Sequence, residues 1–238
     1  MWYYWVCQFD QRGESADPLF SGRFPALLID LHSHSYPKSD DSFVSVDELI
    51  EQAKSSGLDG ICLTEHDEFW DKNAVRDLCR RHDFTVLPGS EINTDAGHIL
   101  VFGLERYVFG LHKPGFLRRT VNKHGGVMIA AHPYRRRYLS EPGLASDARA
   151  EMLQRALEED IFLMCDAIEG YNGRGREDEN EFSMDLSSVF GLRATAGSDA
   201  HRAEQMGTFA TRFDRRVRNL EELIAEIKAG RFRPERLT

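Results

Sequence analysis

Short apolar runs alternate along this chain with segments of helical period, and that alternation restricts the fold before any single residue is considered. ALLIDL (26–31) is followed by SVDELIEQAKSSG, in which Ser45 suits an N-cap, Glu48 stands three residues on and Gly57 supplies a stop. The runs GICLT (60–64), 84–87, GVMIAA (126–131), 164–169 and 193–196 repeat the pattern, with helices expected near 73–81, 115–124, 147–159, 177–190 and 219–229. Two further runs, 91–94 and 98–103, flank the turn-like DAG and read as a hairpin. Strands alternating with helices predict the α/β class, with a mostly parallel sheet curled into a barrel-like single domain. No Pro-, Gly- or Ser-rich linker divides residues 26–238. Residues 1–25, beginning MWYYWVCQFD, form an N-terminal extension, read as a barrel-sealing strand in preference to a contact surface.

Several classes of function are disfavoured early. Nothing approaches the roughly 18 consecutive apolar residues of a membrane span. The N-terminus lacks a basic region and carries Asp10, so it is a poor signal peptide, and a cytoplasmic location is expected. Cys7, Cys62, Cys79 and Cys165 are scattered without a CxxC pair, which argues against a disulfide framework or a zinc ribbon. A net charge of −9 should repel long nucleic acid, so any anionic substrate must be drawn by local charge.

The chemistry sits where the apolar runs end. After ALLIDL come His32 and His34, then Asp40 in KSDDS; after GICLT come Glu65, His66 and Asp67. Glu91 follows FTVLP, His98 opens GHILVFG, His132 follows GVMIAA, and Asp199 and His201 follow LRATAGS. Strand C-terminal ends of a parallel barrel converge on one face. Six of the nine histidines would therefore meet carboxylates at one mouth. Imidazole and carboxylate without thiolate suit manganese, iron or zinc. Each motif alone reads equally well as surface or structure; the constellation does not.

IDLHSHS, TEHD, SEINT with GHILVFG, AAHP and GSDAH together resemble the polymerase and histidinol phosphatase (PHP) family, from Asp30 to about Thr211. The resemblance implies a distorted (β/α)7 TIM-like barrel with two or three divalent metal ions. His32, His34, Glu91 and Asp199 would hold the first. Glu91 would bridge to a second, with His98 and His132. Asp40, His66 and His201 would hold the third. Two departures stand out: Glu65 where the family often has Asp, and Ser39-Asp40-Asp41 where Ser-Asp-Gly is common, which leaves Asp41 as an alternative to Asp40.

Such a site implies phosphate-ester hydrolysis by attack of a metal-bound hydroxide on phosphorus, with Asp199, His66 and His201 as catalytic residues and one of the two histidines protonating the leaving oxygen. Arg135, Tyr171, Asn172 and Arg174, at the ends of two strands, are the candidate substrate contacts; Glu169 is an alternative partner for a ligating histidine. The expected partner is a small phosphorylated substrate, a nucleotide or a short oligonucleotide. Alternatives are an exonuclease on short RNA or DNA, a histidinol phosphatase (ranked lower because those enzymes tend to be longer), and a non-catalytic metal-binding regulatory domain. A C–N or C–O hydrolase on the same barrel would need a metal-bridging lysine, and Lys113 and Lys123 fall on a helical pattern instead.

Overall fold

The molecule is built outward from β1 (Leu27–Ser33), whose residues from Ile29 onward are all buried. The structure is a computed structural model and describes residues 27–135 and 146–237. The N-terminal extension therefore lies outside the described residues, as do Arg136 and Arg137, and its barrel-sealing role is not addressed. On one side β1 pairs in parallel with β2 (Gly60–Leu63), which pairs in parallel with β3 (Thr85–Pro88). On the other it pairs antiparallel with β9 (Phe209–Phe213), which pairs with β10 (Phe232–Arg236). A second sheet runs β4 (Ser90–Thr94), β5 (Gly97–Phe102), β6 (Val127–Ala130), β7 (Ala167–Asn172) and β8 (Arg193–Gly197). As expected, β4 and β5 form an antiparallel hairpin.

Helices cover the outer faces. On the first sheet lie α1 (Val46–Ser55) and α2 (Lys72–His82). The Ser45–Glu48 pair forms the capping box read from the sequence, with Glu48 N–H donating to Ser45 Oγ and Ser45 N–H to Glu48 Oε2. The second sheet is backed by α3 (Pro114–Lys123), α4 (Ser146–Ala156), α5 (Asp160–Met164) and α6 (Glu177–Phe190). Between the sheets, Ile29, Leu31, Cys62, Leu87, Leu100, Phe102, Ile129 and Phe213 interdigitate, closed below by α7 (Leu220–Lys228) through Leu223 and Ile227. Burying each such side chain contributes about 1.5–3 kcal/mol. No described helix is long and apolar enough to cross a membrane.

The α/β class and single domain are as expected, but the ladder is two five-stranded sheets rather than one closed ring of seven. The chain passes between them through one residue, Gly89, after Pro88 has ended β3 with a residue that has no N–H to donate. Among the described residues, isolated bridges join the sheets, Ser33 with Ala200 and His66 with Glu91, and the Thr211 hydroxyl of β9 bonds to Ala196 of β8. At the first, Asp199 N–H donates to the His32 carbonyl (2.7 Å) and His34 N–H to that of Ala200 (3.0 Å). At the second, Glu91 N–H donates to the Glu65 carbonyl (3.0 Å) and Asp67 N–H to that of Glu91 (2.9 Å). Both seams lie at strand C-terminal ends, beside the strand-end histidines.

Two strands escape the sequence pattern. In β9 (FATRF) and β10 (FRPER) arginines alternate with apolar residues, and Pro234 is tolerated because β10 is an edge. The run 164–169 is not all strand: α5 ends at Met164 and β7 begins at Ala167.

Asp30, fully buried in β1, also ties the first seam. Its Oδ1 accepts from the N–H of His32 and of Ser198, each at 3.0 Å, while Oδ2 has no partner. Burial pushes the carboxyl up to about 7 against these hydrogen bonds. The folded state thus binds this proton more tightly than the unfolded chain, so stability is lost as pH rises from about 4 towards 7, by about 1.4 kcal/mol per pKa unit. In chelator-treated protein, Asp30→Asn should flatten the fall in urea midpoint between about pH 4 and pH 7. Equal slopes in both proteins would show that Asp30 carries no such cost.

Candidate metal centre

His32 lies near the end of β1 and His34 one residue past it, and both side chains are fully buried. Their Nε2 atoms lie 3.0 Å apart. Glu91 Oε2 is 3.3 Å from His32 Nε2 and 3.2 Å from His34 Nε2; Asp199 Oδ1 is 3.6 and 3.4 Å from the same two atoms. Four ligand-type atoms thus surround one point. The far side of His32 is fixed: Nδ1 lies 2.9 Å from Glu169 Oε1, an acceptor, so Nδ1 carries the proton and Nε2 presents its lone pair.

Glu91 serves more than this group. Its Oε1 lies 2.8 Å from His98 Nδ1 and 2.9 Å from His132 Nε2, while His66 Nδ1 approaches Oε2 at 3.1 Å. The β4–β5 hairpin makes the first contact possible by setting His98 on the neighbouring strand, opposite Asn93. A further group gathers His34, His66 and His201, with ligand atoms within 4.8 Å of one another. Here the carboxylate is Asp41: its Oδ2 lies 2.9 Å from His201 Nε2 and 3.6 Å from His66 Nε2. Asp40, the residue expected there, and Asp41 are both exposed, and it is Asp41 that lies within ion-pair distance of the histidines. The turn after Ser39 directs that side chain towards them, and two adjacent acids cannot be told apart by spacing alone.

The electrostatics call for positive charge at the centre. Burial disfavours ionisation of Glu91 and Asp199, yet the surrounding histidines prevail and hold both carboxyls well below their ordinary range. Burial likewise opposes protonation of His32 and His34. Glu169, Asp199 and Glu91 overcome it at His32, and Asp199 and Glu91 push His34 up to about 9. Glu91 Oε2 and His66 Nδ1 are buried without a hydrogen-bond partner, though only 3.1 Å apart. Orphaned acceptors facing one another, with carboxylate and imidazole as the donor set, fit divalent cations.

The backbone is shaped to the same end. His132 (φ 28°) and Asp199 (φ 52°) both occupy the left-handed region, a conformation that side chains other than glycine seldom adopt and that clusters at functional sites. His132 is held there by its N–H donating to Glu169 Oε2 at 2.8 Å. At Gly197, a Cβ would come within 2.6 Å of His32 Cβ, so only glycine lets β8 approach β1 here.

Of the expected substrate contacts, two reach the cluster as cations. Arg135 Nη1 donates to Asp199 Oδ2, and Arg174 Nη1 lies 3.0 Å from both ring nitrogens of His201 and 3.8 Å from Asp199 Oδ1. Asn172 is buried and acts as scaffold: its Nδ2 donates to Glu169 Oε2 (3.0 Å) and Asp199 Oδ2 (3.3 Å). Tyr171 leaves the site altogether. A register shift in β7 between Glu169 and Tyr171 leaves Asn172, not Tyr171, on the face of Glu169, and the Tyr171 ring stacks on Phe209 at 5.4 Å. Glu169 takes the supporting position allowed for it. Ser39 and Glu65 were not legible as site residues, because a buried hydroxyl and an acid beside a histidine carry no spacing signal.

Comparison with known proteins agrees with this geometry. Residues 30–171 match the PHP domain family, and residues 177–232 match the PHP-associated family. A probable histidinol-phosphatase of Thermotoga maritima is 25% identical, the match covering 86% of this chain and 93% of the relative. The match spans nearly all of that relative, which is therefore close to this chain in length. A two-domain protein of Bacteroides vulgatus, described as containing a "predicted PHP-like metal-dependent phosphoesterase", superposes with a TM-score of 0.60 at 21% identity. It covers 89% of this chain, which spans only 65% of that protein. The lesion-specific endonuclease EndoQ of Pyrococcus furiosus superposes with a TM-score of 0.54 at 15% identity, covering 88% of this chain and 57% of its own. These two likenesses bear on the fold alone. With its PHP match spanning more than half its length, the chain belongs to the PHP domain family.

Proposed function

We propose that this chain is a metal-dependent phosphoesterase acting on a small phosphate ester or a nucleotide. The observation that carries the reading is Glu91, whose two oxygens face separate histidine sets, with two arginines at the edge of the same cluster. His32, His34, Glu91 and Asp199 would hold one divalent ion, Glu91, His98 and His132 a second, and Asp41, His66 and His201 a third. Bound there, such ions supply charge neutralisation at the phosphoryl oxygens and a water made acidic enough to ionise near neutral pH.

The protein's own groups do the rest. Arg135 and Arg174 place guanidinium charge beside Asp199, where a phosphate oxygen can be held in an otherwise acidic molecule. Asn172 and Glu169 keep Asp199, His32 and His132 in register. Burial holds His66 and His201 below the ordinary imidazole range, so near neutral pH both are uncharged. In that state they suit metal ligation, and either of them could pass a proton to the leaving oxygen. A second reading, histidinol phosphatase, is favoured by the Thermotoga relative.

Elemental analysis of protein purified without chelator should find two or three equivalents of manganese, iron or zinc per chain. Substituting His34→Ala or Asp199→Ala should lower that content and abolish turnover of phosphate esters. Less than one equivalent after dialysis against manganese and zinc would defeat the reading. Between the adjacent acids, Asp41→Ala should weaken binding of one equivalent, whereas Asp40→Ala should leave metal content unchanged; the reverse would move the ligand back to Asp40. On a panel including histidinol phosphate, mononucleotides and dinucleotides, Arg135→Ala should raise KM about tenfold or more, each tenfold being about 1.4 kcal/mol. An unaltered KM would place this arginine outside substrate binding.

A further inference from the structure

Glu65 is fully buried, and among the described residues it forms no ion pair. Its Oε1 accepts from Ser35 Oγ (2.6 Å) and Trp70 Nε1 (3.0 Å); its Oε2 accepts from Ser35 N–H (2.9 Å) and Ser39 Oγ (2.6 Å). Backbone amide and indole can only donate, so the carboxyl is used purely as an acceptor. Ser39 Oγ, itself buried, also lies 3.1 Å from His34 Nδ1. A serine hydroxyl has one proton. Given to Glu65, it leaves only a lone pair for the imidazole, so His34 Nδ1 must be the donor, and Nε2 is the nitrogen left to give its lone pair to a metal ion. Nε2 is also the nitrogen facing Glu91 and Asp199.

We propose that Glu65, acting through Ser39, is the positioning residue that fixes the tautomer and ring orientation of His34 for metal binding. The parallel with His32 is close. Each of the two histidines at the end of β1 has a buried glutamate behind it: Glu169 of β7 directly, and Glu65, just past β2, through one hydroxyl. The bland alternative is that Glu65 merely anchors the segment after β1 through Ser35 and Trp70. That alternative needs neither Ser39 nor a particular His34 tautomer.

The inference rests on the metal-binding reading, and zinc itself is the probe. Wild-type protein, Ser39→Ala, Ser39→Thr, Ser35→Ala and Glu65→Gln are loaded with zinc and titrated against a competing chelator. In parallel, nitrogen–proton correlation spectra of histidine-labelled protein report which ring nitrogen of His34 carries hydrogen. Ser39→Ala should weaken zinc binding about 10- to 100-fold, the usual range for loss of a partner behind a ligand. It should also remove the protected His34 Nδ1–H signal while leaving that of His32. Ser39→Thr, which keeps the hydroxyl, should restore both. Ser35→Ala breaks other contacts to Glu65 and should keep the His34 signal. If Glu65→Gln fails to fold, the serine variants still decide. Wild-type zinc affinity and an intact His34 signal in Ser39→Ala would overturn the relay, as would equal losses in Ser35→Ala. Failure of the wild-type protein to bind zinc would instead sink the metal-binding reading.

Discussion

The structure turns on where the Glu91 carboxylate is held. Glu91 is the second residue of the second sheet after a one-residue corner, and its backbone is bonded back to Thr64 and Glu65, just past β2 in the first sheet. Its two oxygens then face histidines from both: His32, His34 and His66 from one, His98 and His132 from the other. Burying this charge is expensive unless it is matched. The matching groups can reach it only because the sheets meet at their C-terminal ends, so packing between the sheets and chemistry at the centre impose the same geometry.

Support for the ligands is layered in the same way. Glu169 holds His32 through Nδ1 and His132 through its backbone, and Asn172 in turn holds Glu169 and Asp199. None of these reaches solvent freely. Stability is given up at the centre, in a partnerless oxygen on Asp30 and in left-handed backbone at His132 and Asp199, and it is recovered in the apolar layers on either side. Local strain that the surroundings over-determine is the usual signature of a working site.

Much of this was legible in the sequence, for identifiable reasons. The strand-end histidines and acids were visible because a parallel sheet makes chain position after a strand equivalent to place at one mouth, and His32, His34, Glu91, His98, His132, Asp199 and His201 do gather there. What escaped depends on directions that spacing does not encode. Asp41 replaces Asp40 through the rotation of a single turn. Tyr171 and Asn172 are adjacent, and only the strand's phase decides which one faces the centre. Glu65 was passed over because its role runs through a hydroxyl five residues from the histidine it supports. At the level of fold, β9 and β10 were hidden by their arginines, and the division into two sheets by the brevity of the corner at Gly89.

That division has a consequence for how the molecule could diversify. Among the described residues, the backbone-to-backbone bonds between the sheets lie beside the ligands, and the outer faces are clad by separate sets of helices. The centre therefore sits on the line where the two sheets meet. Changes in the outer helices can alter the rim of the mouth while each ligand keeps its own strand. On such a frame the substrate is free to drift over evolutionary time while the chemistry stays anchored.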